Sequence, residues 1–346
     1  MRPLAVFGAT GYTGRLVCAR AREAGLPLRL VGRRHAALEE LAKPGEEVRV
    51  ADGANEAALT SAFAGAFAVA SCAGPFLGVG FAPVVAAISA GAHYLDTTGE
   101  QGFAERVYDE FGPAAAVREL VLLTAFGFDY VPGDLAARLA ADGLEPVDEL
   151  VVAYSVKNVG ASRGTRRTIG SLAGRPHAAF EAGERVRSSF GSTTRRVRFP
   201  FGERDVVEWG GTEPLTVPRH TQVETVRSYL RAPRAPARLA PLARLSAPLL
   251  RLSAGFGPSG PDEASRGRSG FAVVAEARGP RGGRRVTLTG SDPYGLTAML
   301  IVQGATALRD GSASGVGALA PAEAFDARGL VDQLAPLLVL DSREEL

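Results

Sequence analysis

Val6-Phe7-Gly8-Ala9-Thr10-Gly11-Tyr12-Thr13-Gly14 stands at the front of a chain of 346 residues and says more about its architecture than any other stretch. Leu4 to Phe7 is a short apolar run of the kind that forms a buried parallel strand. From Tyr12 to Ala24 the pattern becomes helical, with Leu16, Val17 and Ala21 on one side. Strand, glycine turn and helix in succession predict a dinucleotide-binding unit. Gly8 permits the tight turn, Gly11 lets the backbone approach a pyrophosphate, and Gly14 lets the helix lie close to the strand. The phosphates would rest at the helix N-terminus, on free N–H groups and the positive end of the dipole. The spacing is GxxGxxG, a variant of the commoner GxGxxG. Gly8, Ala9, Thr10, Gly11, Tyr12, Thr13 and Gly14 are therefore the expected phosphate loop.

Further along, Leu26 to Val31 reads as the second strand, followed by Gly32-Arg33-Arg34. An acid here would accept from a ribose 2′-hydroxyl, whereas a guanidinium suits a 2′-phosphate. Two arginines and no acid favour NADP(H) over NAD(H). In a chain whose basic residues are nearly all Arg, Arg33 and Arg34 can also be read as the polar start of the next helix. Val48 to Asp52 is a third strand, with Asp52 set for the adenine edge. The fourth runs through Ser71 and Cys72 and ends in Ala73-Gly74-Pro75-Phe76. Ser71, Ala73, Gly74, Pro75 and Phe76 are expected to pass the pyrophosphate and nicotinamide ribose, on the carboxyl edge where open α/β sheets bind ligands. Strands at His93-Tyr94-Leu95 and Val121-Leu122-Leu123 follow, each leading into a polar or glycine loop. Six such units predict an α/β protein with a Rossmann-like doubly wound parallel sheet.

From Pro146 the texture changes. Glu149 to Val156 reads as a strand, Ser162 onward as a helical stretch, and 185–230 as alternating strands of a mostly antiparallel sheet. Phe271 to Ala277 and Arg285 to Thr289 add two more strands. The plan is an inserted α+β domain over 146–291 for substrate and dimer contacts. Residues 1–145 and 292–346 would form a discontinuous Rossmann domain, with the helix Leu296 to Leu308 packing back on it. Arg234 to Phe256 combines six leucines with Arg238, Arg244 and Arg251. It reads either as an interfacial helix touching lipid or as a helix pair docked on the core or on a second subunit. Gly257 to Gly270 reads as a lid or a disordered connection. A net charge of +2 implies no strong field for nucleic acid. Cys18 and Cys72 are too few for a disulfide framework and fit a reducing, cytoplasmic compartment. A strand beginning within the first few residues leaves no room for a targeting segment, and no apolar run reaches membrane-spanning length.

Several segments together resemble the saccharopine dehydrogenase-like oxidoreductase family. They are the glycine loop, Gly32-Arg33-Arg34, Ala73-Gly74-Pro75-Phe76, His93-Tyr94-Leu95-Asp96-Thr97-Thr98-Gly99-Glu100 and Gly127-Phe128-Asp129-Tyr130-Val131-Pro132-Gly133-Asp134-Leu135. The resemblance is nearest to the branch of trans-acting enoyl reductases of lipid and polyketide pathways, which Ser162-Arg163-Gly164-Thr165 and Asp292-Pro293-Tyr294-Gly295 also fit. It spans most of the chain, least over 175–270. It implies an NADPH-dependent reductase with an inserted α/β domain and a hydrophobic or carrier-tethered substrate. The helix after Thr165 is richer in arginine than the family pattern, which points to an anionic substrate or carrier.

Hydride transfer asks the protein to hold the acceptor and to stabilise developing charge. The proton-donor candidates are Tyr130 and Tyr94, with Asp129 and Glu100 as orienting or relay carboxylates. Asp96, Thr97, Phe128, Asp134 and Arg163 are the expected substrate contacts. Asp134 can equally be a carboxylate serving a helix N-terminus, and Asp96 can satisfy backbone donors in its own loop. The four histidines have no ligand spacing, so no metal is expected. The function expected is reduction of a C=C or C=N bond in lipid, polyketide or other secondary metabolism, by a homodimer. A non-catalytic nucleotide-binding or lipid-surface protein of the same fold is the alternative.

Overall fold

The computed structural model describes residues 1–163, 165–166, 175–232 and 259–346. The expectations for Gly164, for the arginine-rich continuation of that helix and for the leucine–arginine segment 234–256 lie outside the described residues. Residue contacts divide the chain into two units, Met1–Gly127 with Thr297–Leu319, and Phe128–Leu296 with Ala320–Leu346.

The first unit is built on β1 (Leu4–Phe7), β2 (Leu28–Gly32), β3 (Glu47–Val50), β4 (Ala68–Ser71), β5 (His93–Asp96) and β6 (Val121–Leu123). With the short strand Gly317–Ala318 they form a parallel sheet in the order Gly317–Ala318, β6, β5, β4, β1, β2, β3. Every residue of β1, β2 and β4 is buried, the run without alternation that a sheet covered on both faces requires. Phe7 pairs with Val31 on one side and Ser71 on the other, so these strands finish level and their loops share one edge. The helix Tyr12–Glu23 buries Gly14, Val17, Cys18 and Ala21; of the face expected from periodicity, Val17 and Ala21 are buried and Leu16 is half-buried. Residues from Thr297 onward of the long helix Pro293–Asp310 belong to this unit. There Gly304 leaves room for Leu95 and Phe126, either of which a Cβ would approach to 2.9 Å.

The second unit holds β7 (Val147–Lys157), β8 (His177–Glu181), β9 (Glu184–Ser188), β10 (Thr194–Phe199), β11 (Gly202–Glu208), β12 (Val223–Arg231), β13 (Gly270–Gly279) and β14 (Gly282–Ser291). The order is β10, β11, β12, β7, β13, β14 and the C-terminal strand Leu338–Glu345, with the β8–β9 hairpin attached to β12. All described neighbours are antiparallel except β12 and β7, which run parallel, so the sheet is mixed. One face buries Val151, Ala153, Val197, Phe199, Val206, Tyr229, Ala272 and Val274. The valine and phenylalanine side chains among them each contribute about 1.5–3 kcal/mol on full burial.

Two features differ from the sequence expectation. Residues 128–145 and 320–346 group with the second unit because the helix Val131–Ala141 packs on β7, β13 and β14, and because Leu338–Glu345 pairs with β14. Where a lid or disordered connection was expected, residues 259–270 hold the short helix Glu263–Gly267, capped by Asp262, whose carboxylate accepts from Ser265 N at 2.7 Å. Among the described residues no helix is long and apolar enough to cross a membrane.

Candidate functional site

The glycine loop takes the conformation its composition predicts. Gly8 leaves β1 at φ +80°, a left-handed position that an L side chain would strain. Its carbonyl accepts the Gly11 N–H at 2.8 Å, closing the turn. A Cβ on Gly14 would overlap the Gly8 carbonyl oxygen and lie 2.9 Å from Ala9 Cα, so only glycine lets the helix come this close. The helix Tyr12–Glu23 has Gly11 at its N-cap in extended geometry, no capping side chain and no acid in its first turn. With no acid of its own in that turn to occupy them, the helix's first-turn N–H groups suit an anion such as a phosphate. A dinucleotide pyrophosphate matches this cradle.

At the end of β2, Arg33 and Arg34 are both exposed, with Arg34 at the N-cap of the helix His35–Leu41. Asp52 is exposed beyond β3, and its carboxylate accepts from Ala54 N at 2.9 Å, which turns part of it back on its own loop. The loop after β4 passes close to Gly8, where Ala73 N is 3.1 Å from the place of a Cβ. Phe76 is buried against the Phe103 ring at 5.4 Å.

Glu100 holds this loop in place. It is fully buried, and its two oxygens accept from Phe76 N at 2.7 Å and Leu77 N at 3.2 Å. Asp96 does the same for the neighbouring strands: Oδ1 accepts from Thr98 N at 2.9 Å and Ala125 N at 3.0 Å, and Oδ2 from Thr124 Oγ1 at 2.8 Å. Burial pushes the Asp96 carboxyl up to about 6, against the pull of those donors. Tyr94 is fully buried on β5, and burial followed by the charge of Asp96 drives its ionisation well above the ordinary range. The Tyr94 and Ser71 hydroxyls are buried without a hydrogen bond of normal geometry. Thr97 N reaches Ser71 O at 3.4 Å. Within the first unit, then, the carboxylates at the ligand edge shape loops, and the exposed cations lie at the end of β2.

The remaining expected residues belong to the second unit. Phe128 is buried against Phe271, ring centroids 4.6 Å apart. Asp129 is exposed, yet the protein around it pushes its carboxyl up to about 6, a shift that contact with water tempers. Tyr130 is buried and stacked on Trp209 at 5.8 Å, its hydroxyl 3.4 Å from Gly210 O. Asp134 is fully engaged: Oδ1 meets His220 Nε2 at 2.9 Å and Oδ2 accepts from Ala322 N at 2.9 Å. Although burial opposes it, the charge of His220 and these hydrogen bonds hold its carboxyl below the ordinary range. Arg163 is exposed. Beside it the segments around Ser162 and Tyr294 meet, since Tyr294 Oη accepts from Ser162 N at 2.8 Å and lies 2.9 Å from Thr165 Oγ1.

Two buried carboxylates escaped the sequence reading. Glu213 accepts from Tyr154 Oη at 2.5 Å and Ser228 Oγ at 2.6 Å. Glu208 accepts from Thr193 Oγ1 at 2.6 Å, Ser192 Oγ at 2.9 Å and Arg227 Nη1 at 2.7 Å, and lies 3.3 Å from His177 Nε2. Their partners lie at least 15 residues away in the chain, so no local spacing announces them. The one available signal is an acid set in the apolar, glycine-rich run Gly210-Gly211-Thr212-Glu213-Pro214-Leu215. Among the described residues no group of three or more His, Cys, Asp or Glu could hold a metal ion.

Residues 8–147 match the NAD(P)H-binding family. A saccharopine dehydrogenase-like oxidoreductase of Homo sapiens is 31% identical over 152 residues, covering 38% of this chain and 35% of that protein. A Mycobacterium tuberculosis protein bearing the name trans-acting enoyl reductase is 32% identical over 141 residues, 38% of this chain and 34% of its own. The matched stretch is about a third of the length of these curated relatives. Saccharopine dehydrogenase (L-Glu forming) of Saccharomyces cerevisiae aligns over 100% of both chains with a TM-score of 0.67 at 12% identity, a likeness of fold. With the glycine loop, the parallel sheet that carries it and the mixed second sheet, these likenesses give the chain an NAD(P)-binding domain similar in sequence to saccharopine dehydrogenase-like oxidoreductases, within a fold like that of saccharopine dehydrogenase.

Proposed function

We propose that the protein is an NADP(H)-dependent reductase of a C=C bond, in an enoyl and carrier-tethered substrate, or of a C=N bond, in lipid, polyketide or other secondary metabolism of the cytoplasm. The observation that carries this reading is the acid-free phosphate cradle at Gly8–Gly14 with Arg33 and Arg34 exposed at the end of the neighbouring strand. When bound, the dinucleotide supplies the hydride. The first-turn N–H groups of Tyr12–Glu23 hold its pyrophosphate, and the guanidinium groups of Arg33 and Arg34 hold the 2′-phosphate. Glu100 and Asp96 keep the two ligand-edge loops in shape.

Reduction needs a proton at the atom that does not receive the hydride. Tyr130 is the donor in this reading. Asp129, whose carboxyl is raised toward neutrality, takes part in returning its proton. Arg163 pairs with an anionic substrate or carrier group. The names of the relatives, an oxidoreductase and an enoyl reductase, support the reaction class.

The test is a titration of purified protein with NADPH and NADH, read by nicotinamide fluorescence, in wild type and in the double variant Arg33→Ala/Arg34→Ala. NADPH should bind tightly, NADH weakly, and the double variant should lose at least about tenfold for NADPH alone. Equal binding of both nucleotides, unmoved by the double variant, would remove the NADP(H) preference. Absence of binding by either would remove the enzyme.

A further inference from the structure

Glu213 is a fully buried carboxyl group that the reaction outlined above does not use. Among the described residues it touches no cation. Its partners are two hydroxyls, Tyr154 Oη on β7 and Ser228 Oγ on β12. Close backbone approach makes room for it, because a Cβ on Gly133 would overlap both Glu213 Oε1 and Tyr154 Oη. Gly133 lies in the first turn of Val131–Ala141, the helix that begins at Tyr130.

The Tyr154 hydroxyl has one proton and two acceptors within reach, Glu213 Oε1 at 2.5 Å and the backbone carbonyl of Tyr130 at 3.3 Å. It cannot serve both well. We propose that Glu213 and Tyr154 form a hydrogen-bond switch in which the protonation state of Glu213 decides whether the Tyr154 O–H is held by Glu213 or released to anchor the Tyr130 carbonyl. With Glu213 ionised, its carboxylate captures the O–H, since charge-assisted hydrogen bonds are about twice as strong as neutral ones. With Glu213 protonated, the acid donates its own O–H to Tyr154 Oη, and the phenol proton turns to Tyr130. One proton enters at Glu213 and none leaves Tyr154. The Tyr130 carbonyl already accepts from Gly133 N and Asp134 N, both at 3.1 Å, so the switch adds to or removes from the anchoring of a helix start.

The surroundings place the switch near neutrality. Burial pushes Glu213 up to about 7, with the Ser228 and Tyr154 hydroxyls holding it down and the charge of Asp134 raising it. Among the described residues, the other titratable groups on this side include Tyr130, Asp129 at the start of the helix, and His220 paired to Asp134. Tyr154 remains neutral throughout, its ionisation driven well above the ordinary range by burial and then by Glu213. The consequence for catalysis rests on Tyr130 being the proton donor; the switch itself does not.

Trp209, the only tryptophan of the chain, reports on it directly. Its ring is stacked on Tyr130 at 5.8 Å and meets Tyr154 edge-on at 5.7 Å. Tryptophan emission of the intact protein should titrate across neutral pH in wild type, and Glu213→Gln should abolish the transition. Ser228→Ala, which removes a donor to the ionised form, should move the midpoint up by about one pH unit and settles the matter if Glu213→Gln fails to fold. Flat wild-type emission, a transition that survives Glu213→Gln unchanged, or an unmoved midpoint in Ser228→Ala would each overturn the switch. If the spectral transition appears as expected while the pH profile of NADPH oxidation ignores it, the switch stands and the assignment of Tyr130 as donor falls.

Discussion

Gly14→Ala is the sharpest test of the cofactor site, because two effects of opposite sign compete there and the structure decides between them. Alanine is favoured over glycine within a helix by about 0.5–1 kcal/mol. Against that, the new methyl group would overlap the Gly8 carbonyl oxygen and lie 2.9 Å from both Ala9 Cα and Gly8 C. Forcing an extra methyl into a packed site costs about 1–3 kcal/mol. These neighbours are backbone atoms of a tight turn and cannot rotate away. The clash wins, for a net loss of about 1–2 kcal/mol and a Tm lower by several degrees, at roughly 2–4 °C per kcal/mol. Relief comes by moving the helix start away from the loop, which withdraws its N–H groups from the phosphates. NADPH affinity should therefore fall at least about tenfold, close to 1.4 kcal/mol. Gly102→Ala is the control, on the helix Gln101–Arg106 of the same unit, where the nearest atom to a new Cβ is Leu77 Cδ2 at 4.0 Å. There only helix propensity acts, so stability should rise by about 0.5–1 kcal/mol with affinity unchanged. Thermal melts and nicotinamide fluorescence titrations measure both quantities. A Gly14→Ala protein that melts at or above wild type and binds NADPH as well would refute the packing argument.

Two further outcomes follow from the buried carboxylates of the same sheet edge. Glu100→Ala leaves the N–H groups of Phe76 and Leu77 without their acceptor and should cost about 2–4 kcal/mol in chemical denaturation, with Glu100→Gln losing less; an alanine variant as stable as wild type would mean that the loop is held by its rings alone. Asp96 carries the opposite sign from an ordinary paired carboxylate, because its folded value of about 6 lies above the unfolded 3.8. The stability of its retained proton is full below about pH 4 and is lost as pH rises through about 6, by at most about 3 kcal/mol. Asp96→Asn should erase that component, so its stability relative to wild type should rise between acid and neutral pH. A constant difference would show that Asp96 is ionised throughout.

What could be read from the amino-acid order alone is what short spacing encodes. The apolar run Leu4–Phe7, the three glycines after it and the helical recurrence of Val17 and Ala21 lie within twenty residues, and the structure uses each as its spacing implies. The same holds for β4, whose short run of small and apolar residues marks burial on both faces, as in β1. Partners distant in the chain carry no such signature. The residue pattern marks a strand from Glu149 to Val156 and alternating strands over 185–230, but is silent on the parallel pairing of Val147–Lys157 with Val223–Arg231, or on Leu338–Glu345 closing the same sheet. The sequence likewise places Asp134 at a helix N-terminus without saying that the buried face of that helix, Val131–Ala141, belongs on the second sheet. Asp134 and Glu100 were visible as acids in polar loops. Only packing showed that His220, 86 residues away, and two backbone N–H groups had claimed them. Glu213 shows the division most clearly. Its partner Tyr154 is 59 residues away on a strand, and what makes it consequential is a property of the folded state: complete burial beside hydroxyls, with no cation against it among the described residues. Local geometry is written in neighbouring residues, whereas the dielectric surroundings and hydrogen-bond partners of a buried charge exist only once distant segments have met.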